Sequence, residues 1–111
     1  MAITSQQADM DATPEDRLLD GRVRLRQAPE GYRAGMDAAL LAAACDASEG
    51  ARVLEAGCGV GGALLAAAAR RPGALFVGLE RDPATAALAR ENVALNDMAA
   101  RVKILEGDVA L

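Results

Sequence analysis

Histidine and tryptophan are absent from the 111 residues, and tyrosine, phenylalanine and lysine occur once each. Cysteine occurs twice, as Cys45 and Cys58, with no Cys-x-x-Cys pair. Without histidine or paired cysteines a zinc site is not expected. The two thiols read as reduced side chains of a cytoplasmic protein rather than as a disulfide. Positive charge is in deficit, with a net charge of -4, which excludes a general nucleic-acid binder. Long apolar runs are missing too. "MDAALLAAAC" is too short to span a bilayer, and the N-terminus lacks the basic start and apolar core of a signal peptide. No repeat of a solenoid or propeller is visible.

What is present is a small, alanine-rich globular chain. Apolar residues make up 52% and aromatics 2%, so its helices are expected to be thin and closely packed. The length suits one domain, with a core that leaves little surplus stability. Residues 1–15 are polar and read as a mobile tail. Residues 16–50 include "RLLDGRVRLRQ" from Arg17, where Asp20-Gly21 signals a two-residue hairpin turn. Arg22, Arg24 and Arg26 alternate there with Val23 and Leu25, one wet face against one buried face. A Pro- and Gly-containing loop (28–35) and an apolar helix, "MDAALLAAACDA", complete this part. Residues 51–111 read as strand, helix, strand, helix, strand, which predicts an α/β fold with a parallel sheet and right-handed crossovers. "ARVLEAG" and "ALFVGLE" read as buried strands. Asp82 is placed to cap a helix that starts at Pro83 and closes at Asn96-Asp97.

Three carboxylates end or follow the three strands: Glu55, Glu80 and Asp108. A parallel sheet brings all three to the edge where ligands sit. Between the first strand and its helix stand Gly57, Gly59, Gly61 and Gly62, which suit positive φ angles and close backbone approach. The helix that follows offers N–H groups to an anionic ligand group. Two ligand classes fit. Gly57, Gly59 and Gly62 satisfy the dinucleotide fingerprint, with Glu80 at the ribose distance. A pyrophosphate beside Glu55 would be repelled, however, whereas a ligand carrying an amine and a sulfonium would be attracted. That chemistry leans toward S-adenosylmethionine.

On these residues the chain resembles the class I S-adenosylmethionine-dependent methyltransferases and their Rossmann-like fold. Glu55-Ala56-Gly57-Cys58-Gly59-Val60-Gly61 is similar to their acid-x-Gly-x-Gly-x-Gly motif. The resemblance implies that Glu55, Gly57, Cys58, Gly59 and Gly61 line the cofactor, that Glu80 holds the ribose, and that Asp108 with the Val109 amide holds the adenine. Upstream, "LLDGRVRLRQAPEGYRAGMDAALLAAA" resembles the bacterial tRNA (valine) adenine-N6 methyltransferases. There a hairpin precedes a Tyr-Arg-x-x-x-Asp stretch, which implies that Tyr32, Arg33 and Asp37 cover the methionine end of the cofactor. It also implies a tRNA partner and methylation of an adenine exocyclic amine. The family's Asn/Asp-Pro-Pro-Tyr/Phe loop follows a fourth strand, and no Pro-Pro occurs here. The expectation is therefore a cofactor-binding half that stops before the fourth strand, holds no catalytic residue, is inactive alone, and self-associates through the open edge of its first parallel strand. Two alternatives stay open: a nicotinamide- or flavin-linked oxidoreductase fragment, and a non-enzymatic interaction module.

Overall fold

The computed structural model describes residues 15–27 and 48–108. The loop and helix expected between 28 and 47, with Tyr32, Arg33, Asp37 and Cys45, lie outside the described residues, as does Val109.

The described residues open with an antiparallel hairpin, β1 (Glu15–Leu18) and β2 (Val23–Arg26). Its turn is the expected one. Asp20 and Gly21 both have positive φ (54° and 86°), and Arg22 N–H donates to Leu19 C=O at 3.1 Å, as a primed turn matched to strand twist requires. Glu15 corrects the boundary of the tail. It is the first residue of β1, where its carboxylate accepts from Arg24 Nε at 2.7 Å. That bond holds the Glu15 carboxyl below the usual carboxylate range.

The second sheet is parallel, with β3 (Arg52–Ala56), β4 (Leu75–Glu80) and β5 (Val102–Glu106) side by side in that order. Helix α1 (Gly62–Arg70) joins β3 to β4, and α2 (Pro83–Leu95) joins β4 to β5. Both helices follow their punctuation. Asp82 caps α2 by accepting from Thr85 N–H at 2.9 Å, ahead of Pro83 at the first position. The other end of α2 is a Schellman stop. Asp97 takes the left-handed position (φ 57°), its N–H donating to Ala94 C=O and that of Met98 to Val93 C=O, each at 3.0 Å. The last carbonyls of α1 are met by arginines from elsewhere in the chain. Arg22 reaches Ala69 C=O at 2.8 Å, and Arg101 reaches Ala68 C=O at 3.0 Å and Arg71 C=O at 3.3 Å. Cations at that negative helix end are favourable.

Three layers result. The sheet presents Phe76, Val102 and Ile104 to α1 and α2. Both helices bury alanines (Ala66, Ala67, Ala68, Ala86, Ala89), and the hairpin seats Val23 and Leu25 against their far side. The prediction of buried strands holds on one face only. Strand register places Leu54, Leu75 and Leu105 on the opposite face, where they are 64%, 44% and 53% exposed. "ARVLEAG" is thus not a buried strand. Both helices lie behind the sheet, and no described strand pairs with the free side of β3. Among the described residues no helix is long and apolar enough to cross a membrane.

Candidate functional site

Parallel register brings the carboxyl ends of β3, β4 and β5 to one edge. There Ala56, Gly57, Leu79, Glu80, Arg81, Gly107 and Asp108 line a crevice of about 280 Å³. Glu80 is its best-held acid. Oε1 accepts from Gly59 N–H at 3.1 Å and Oε2 from Asp82 N–H at 2.9 Å. A carboxylate has about four acceptor directions, so two bonds leave it able to accept from ligand hydroxyls. Asp108 stands across the crevice, with Oδ2 4.0 Å from Arg81 Nη1.

The glycine turn from Gly57 to Gly61 leads from β3 into α1. Gly57, Gly59 and Gly61 adopt positive φ (69°, 58° and 97°), and Gly61 serves as the helix N-cap with no side-chain bond of its own. The alternate glycines therefore set the loop's shape, while Gly62 is already helical. The loop also uses its own donors. Gly57 and Cys58 N–H both reach Leu79 C=O (2.7 and 3.0 Å), Gly59 N–H goes to Glu80, and Gly61 N–H reaches Cys58 C=O at 3.1 Å. A dinucleotide loop directs such N–H groups at a pyrophosphate; here four of them are spent inside the protein.

Glu55 stands apart from the crevice lining. It is half-buried at the end of β3, and among the described residues its Oε1 is a buried oxygen with no hydrogen-bond partner. Burial pushes its carboxyl above the ordinary value. An ionisable group kept desolvated and unpaired in a native protein is costly, and a cationic ligand group is what would relieve it. Cys58, within the glycine loop, is buried. A Cβ on Gly78 would lie 2.7 Å from its Sγ and 2.9 Å from Leu64 Cδ2, so glycine at 78 is what lets the loop close onto β4. Burial, then Glu55 and Glu80, push the thiol up to about 11, too high for a nucleophile at neutral pH. Its side chain faces Gly78 of β4. Among the described residues no cluster of Cys, Asp and Glu could hold a metal ion.

Comparison with known proteins adds to this geometry. No family model matches the chain, and no curated protein matches it. Solved structures do. An S-adenosylmethionine-dependent methyltransferase from Thiobacillus denitrificans, in complex with S-adenosyl-L-homocysteine, superposes at TM-score 0.60 with 30% identity over 69% of this chain and 31% of its own. The fold is the Rossmann-like methyltransferase fold. The mitomycin 7-O-methyltransferase MmcR is 37% identical over 66% of this chain and 21% of its own, at TM-score 0.60. P. horikoshii TYW2, in complex with MeSAdo, shares the fold over 88% of this chain and 37% of its own, at TM-score 0.72 and 20% identity. The chain thus spans between about a fifth and two fifths of the length of these solved chains.

Of the residues singled out from sequence, the structure brings Gly57, Glu80 and Asp108 to one crevice. Gly59 and Gly61 shape the loop beside it, Cys58 lies buried within that loop, and Glu55 lies half-buried just before it. What sequence reasoning missed is Asn92, buried on α2 and bonded both to the hairpin and to the glycine loop. Its only local signal is a second asparagine four residues on.

Proposed function

We propose that this chain binds S-adenosylmethionine and serves methyl transfer. One observation carries the reading: Glu55 is a half-buried carboxylate with an oxygen unpartnered among the described residues, set before a glycine loop that has spent four of its N–H groups internally. Such a site suits a ligand that is cationic at one end and carries no phosphate. Glu55 would meet the ammonium and sulfonium end, Glu80 the ribose hydroxyls, and Asp108 the adenine amine. The bound cofactor supplies the methyl group, and the protein supplies position, since the acceptor must meet the methyl carbon in line. Support comes from the neighbours crystallised with S-adenosyl-L-homocysteine and MeSAdo. Calorimetric titration with S-adenosylhomocysteine, S-adenosylmethionine and NAD tests it. The first two are expected to bind tighter than NAD, and tightest binding by NAD would overturn the reading.

The acceptor we propose is an adenine exocyclic amine in tRNA, on the resemblance of residues 17–111 and the arginine row of β2. Arg24 and Arg17 are engaged with Glu15 and Arg22 with the end of α1, so Arg26 is the hairpin cation best able to meet phosphate. The 111 residues alone are not expected to transfer methyl, because they contain no Pro-Pro pair with which to hold the amine. Binding of unmodified tRNA in the presence of S-adenosylhomocysteine is the separate test. Affinity should fall steeply with salt; no binding at low salt removes RNA and leaves the cofactor reading untouched.

A further inference from the structure

Helix α2 and its C-cap residue Asn96 hold the outer edge of the hairpin with two side-chain amides. Asn96 Oδ1 accepts from Arg24 N–H at 2.7 Å, while its Nδ2 donates to Arg24 C=O at 2.6 Å and Asn92 C=O at 2.7 Å. Asn92 Oδ1 accepts from Arg26 N–H at 2.7 Å, while its Nδ2 donates to Arg26 C=O at 2.8 Å and Val60 C=O at 2.9 Å. Each amide thus satisfies the N–H and the C=O of one strand residue, as a neighbouring strand would. The spacing allows it. Four helical residues rise about 6 Å, and two strand residues advance about 6.7 Å.

The two asparagines differ in one bond. The second Asn92 donor leaves the hairpin and grips Val60 C=O, inside the glycine loop. The N–H of that same peptide, on Gly61, donates to Cys58 C=O. The Val60–Gly61 peptide plane is therefore held from both sides, immediately before the N-cap glycine at φ 97°. Without Asn92 one side of this plane would be free, in a loop whose glycines oppose no rotation.

We propose that Asn92 is a positioning residue for the glycine loop, setting the Val60–Gly61 peptide so that the loop is preformed for its ligand, and that Asn96 is its purely structural counterpart. This rests on the S-adenosylmethionine reading of the site. The test compares Asn92→Ala with Asn96→Ala, which each remove three hydrogen bonds, by amide hydrogen exchange in the ligand-free protein and by calorimetry with S-adenosylhomocysteine. Exchange is normalised to the Phe76 amide in the core. Asn92→Ala should speed exchange at Gly61 at least tenfold and weaken binding about tenfold. Asn96→Ala should speed exchange at Arg24 and leave both Gly61 and affinity within twofold of the parent. Asn92→Asp keeps the acceptor for Arg26 N–H and loses the donors, so it should protect Arg26 while releasing Gly61; it takes the place of Asn92→Ala should that variant not fold. Equal effects of the two positions on Gly61, or none at either, would overturn the proposal. If the parent protein binds no S-adenosylhomocysteine, the cofactor reading fails, and the exchange data alone decide the role of Asn92.

Discussion

Glu55 sets stability against function at one side chain. Burial raises its carboxyl above the ordinary 4.5, so the folded state keeps this proton to higher pH than the unfolded chain does. The folded state then binds more protons between the two values, and stability falls as pH rises through that window, the loss being complete above the folded value. Glu55→Gln removes this loss. The variant should melt higher than the parent at pH 7, and the gap should close near pH 4. It should also bind S-adenosylhomocysteine more weakly, which calorimetry reads. Glu80 is the reverse case, since it holds Gly59 and Asp82 N–H as well as facing the crevice. Charge-assisted bonds are worth about 1.5–3 kcal/mol. Glu80→Ala should therefore lower both the melting temperature and ligand affinity, the latter roughly tenfold or more; unchanged affinity would place the ribose elsewhere. Both acids were legible in the sequence because a strand end and a glycine run mark them locally. Asn92, Asn96 and Arg101 were not, because their bonds to Arg26, Arg24 and Ala68 reach across 66, 72 and 33 residues, and no local spacing encodes such a contact.

The helices announced their own limits, through Asp82-Pro83, Asn96-Asp97 and Pro72-Gly73. Parallel pairing of the three strands followed from the alternation of strand and helix. What sequence could not give was which strand face is covered, since "ARVLEAG" and "ALFVGLE" are apolar on both faces and the helices cover one. The join between β4 and the glycine loop is tightest at Gly78. A methyl there would lie within 3 Å of Cys58 and Leu64. Gly78→Ala should cost about 1–3 kcal/mol by overpacking, seen as a lower denaturant midpoint at unchanged slope.

The two outer strands of the parallel sheet are finished differently. On β5, Arg90 places Nε and Nη2 against Ile104 C=O, at 3.3 and 3.1 Å, which blunts that edge. On β3 the outward residues include Leu54, and among the described residues no strand pairs with its outer edge, which makes it a template for another chain. We expect the chain to self-associate through β3, about a two-fold axis. Light scattering across a concentration series should show dimers or larger species, and Leu54→Lys should return a monomer that is no less stable. A monomer at high concentration in the parent would remove this expectation.

The asparagine bonds also give the molecule an order in time. The ribosome makes β1 and β2 before the two helices that receive them, and Asn96 follows Arg24 by 72 residues. At about 5–20 residues per second the hairpin waits several seconds for its seat, with Val23 and Leu25 in water. A contact of such long sequence separation forms late, because its loop must close before the bonds repay it. Of the described elements, the one made first is thus installed last. Asn96→Ala should accordingly speed unfolding and leave the folding rate nearly unchanged, so that the hairpin is the latch by which the finished protein stays shut.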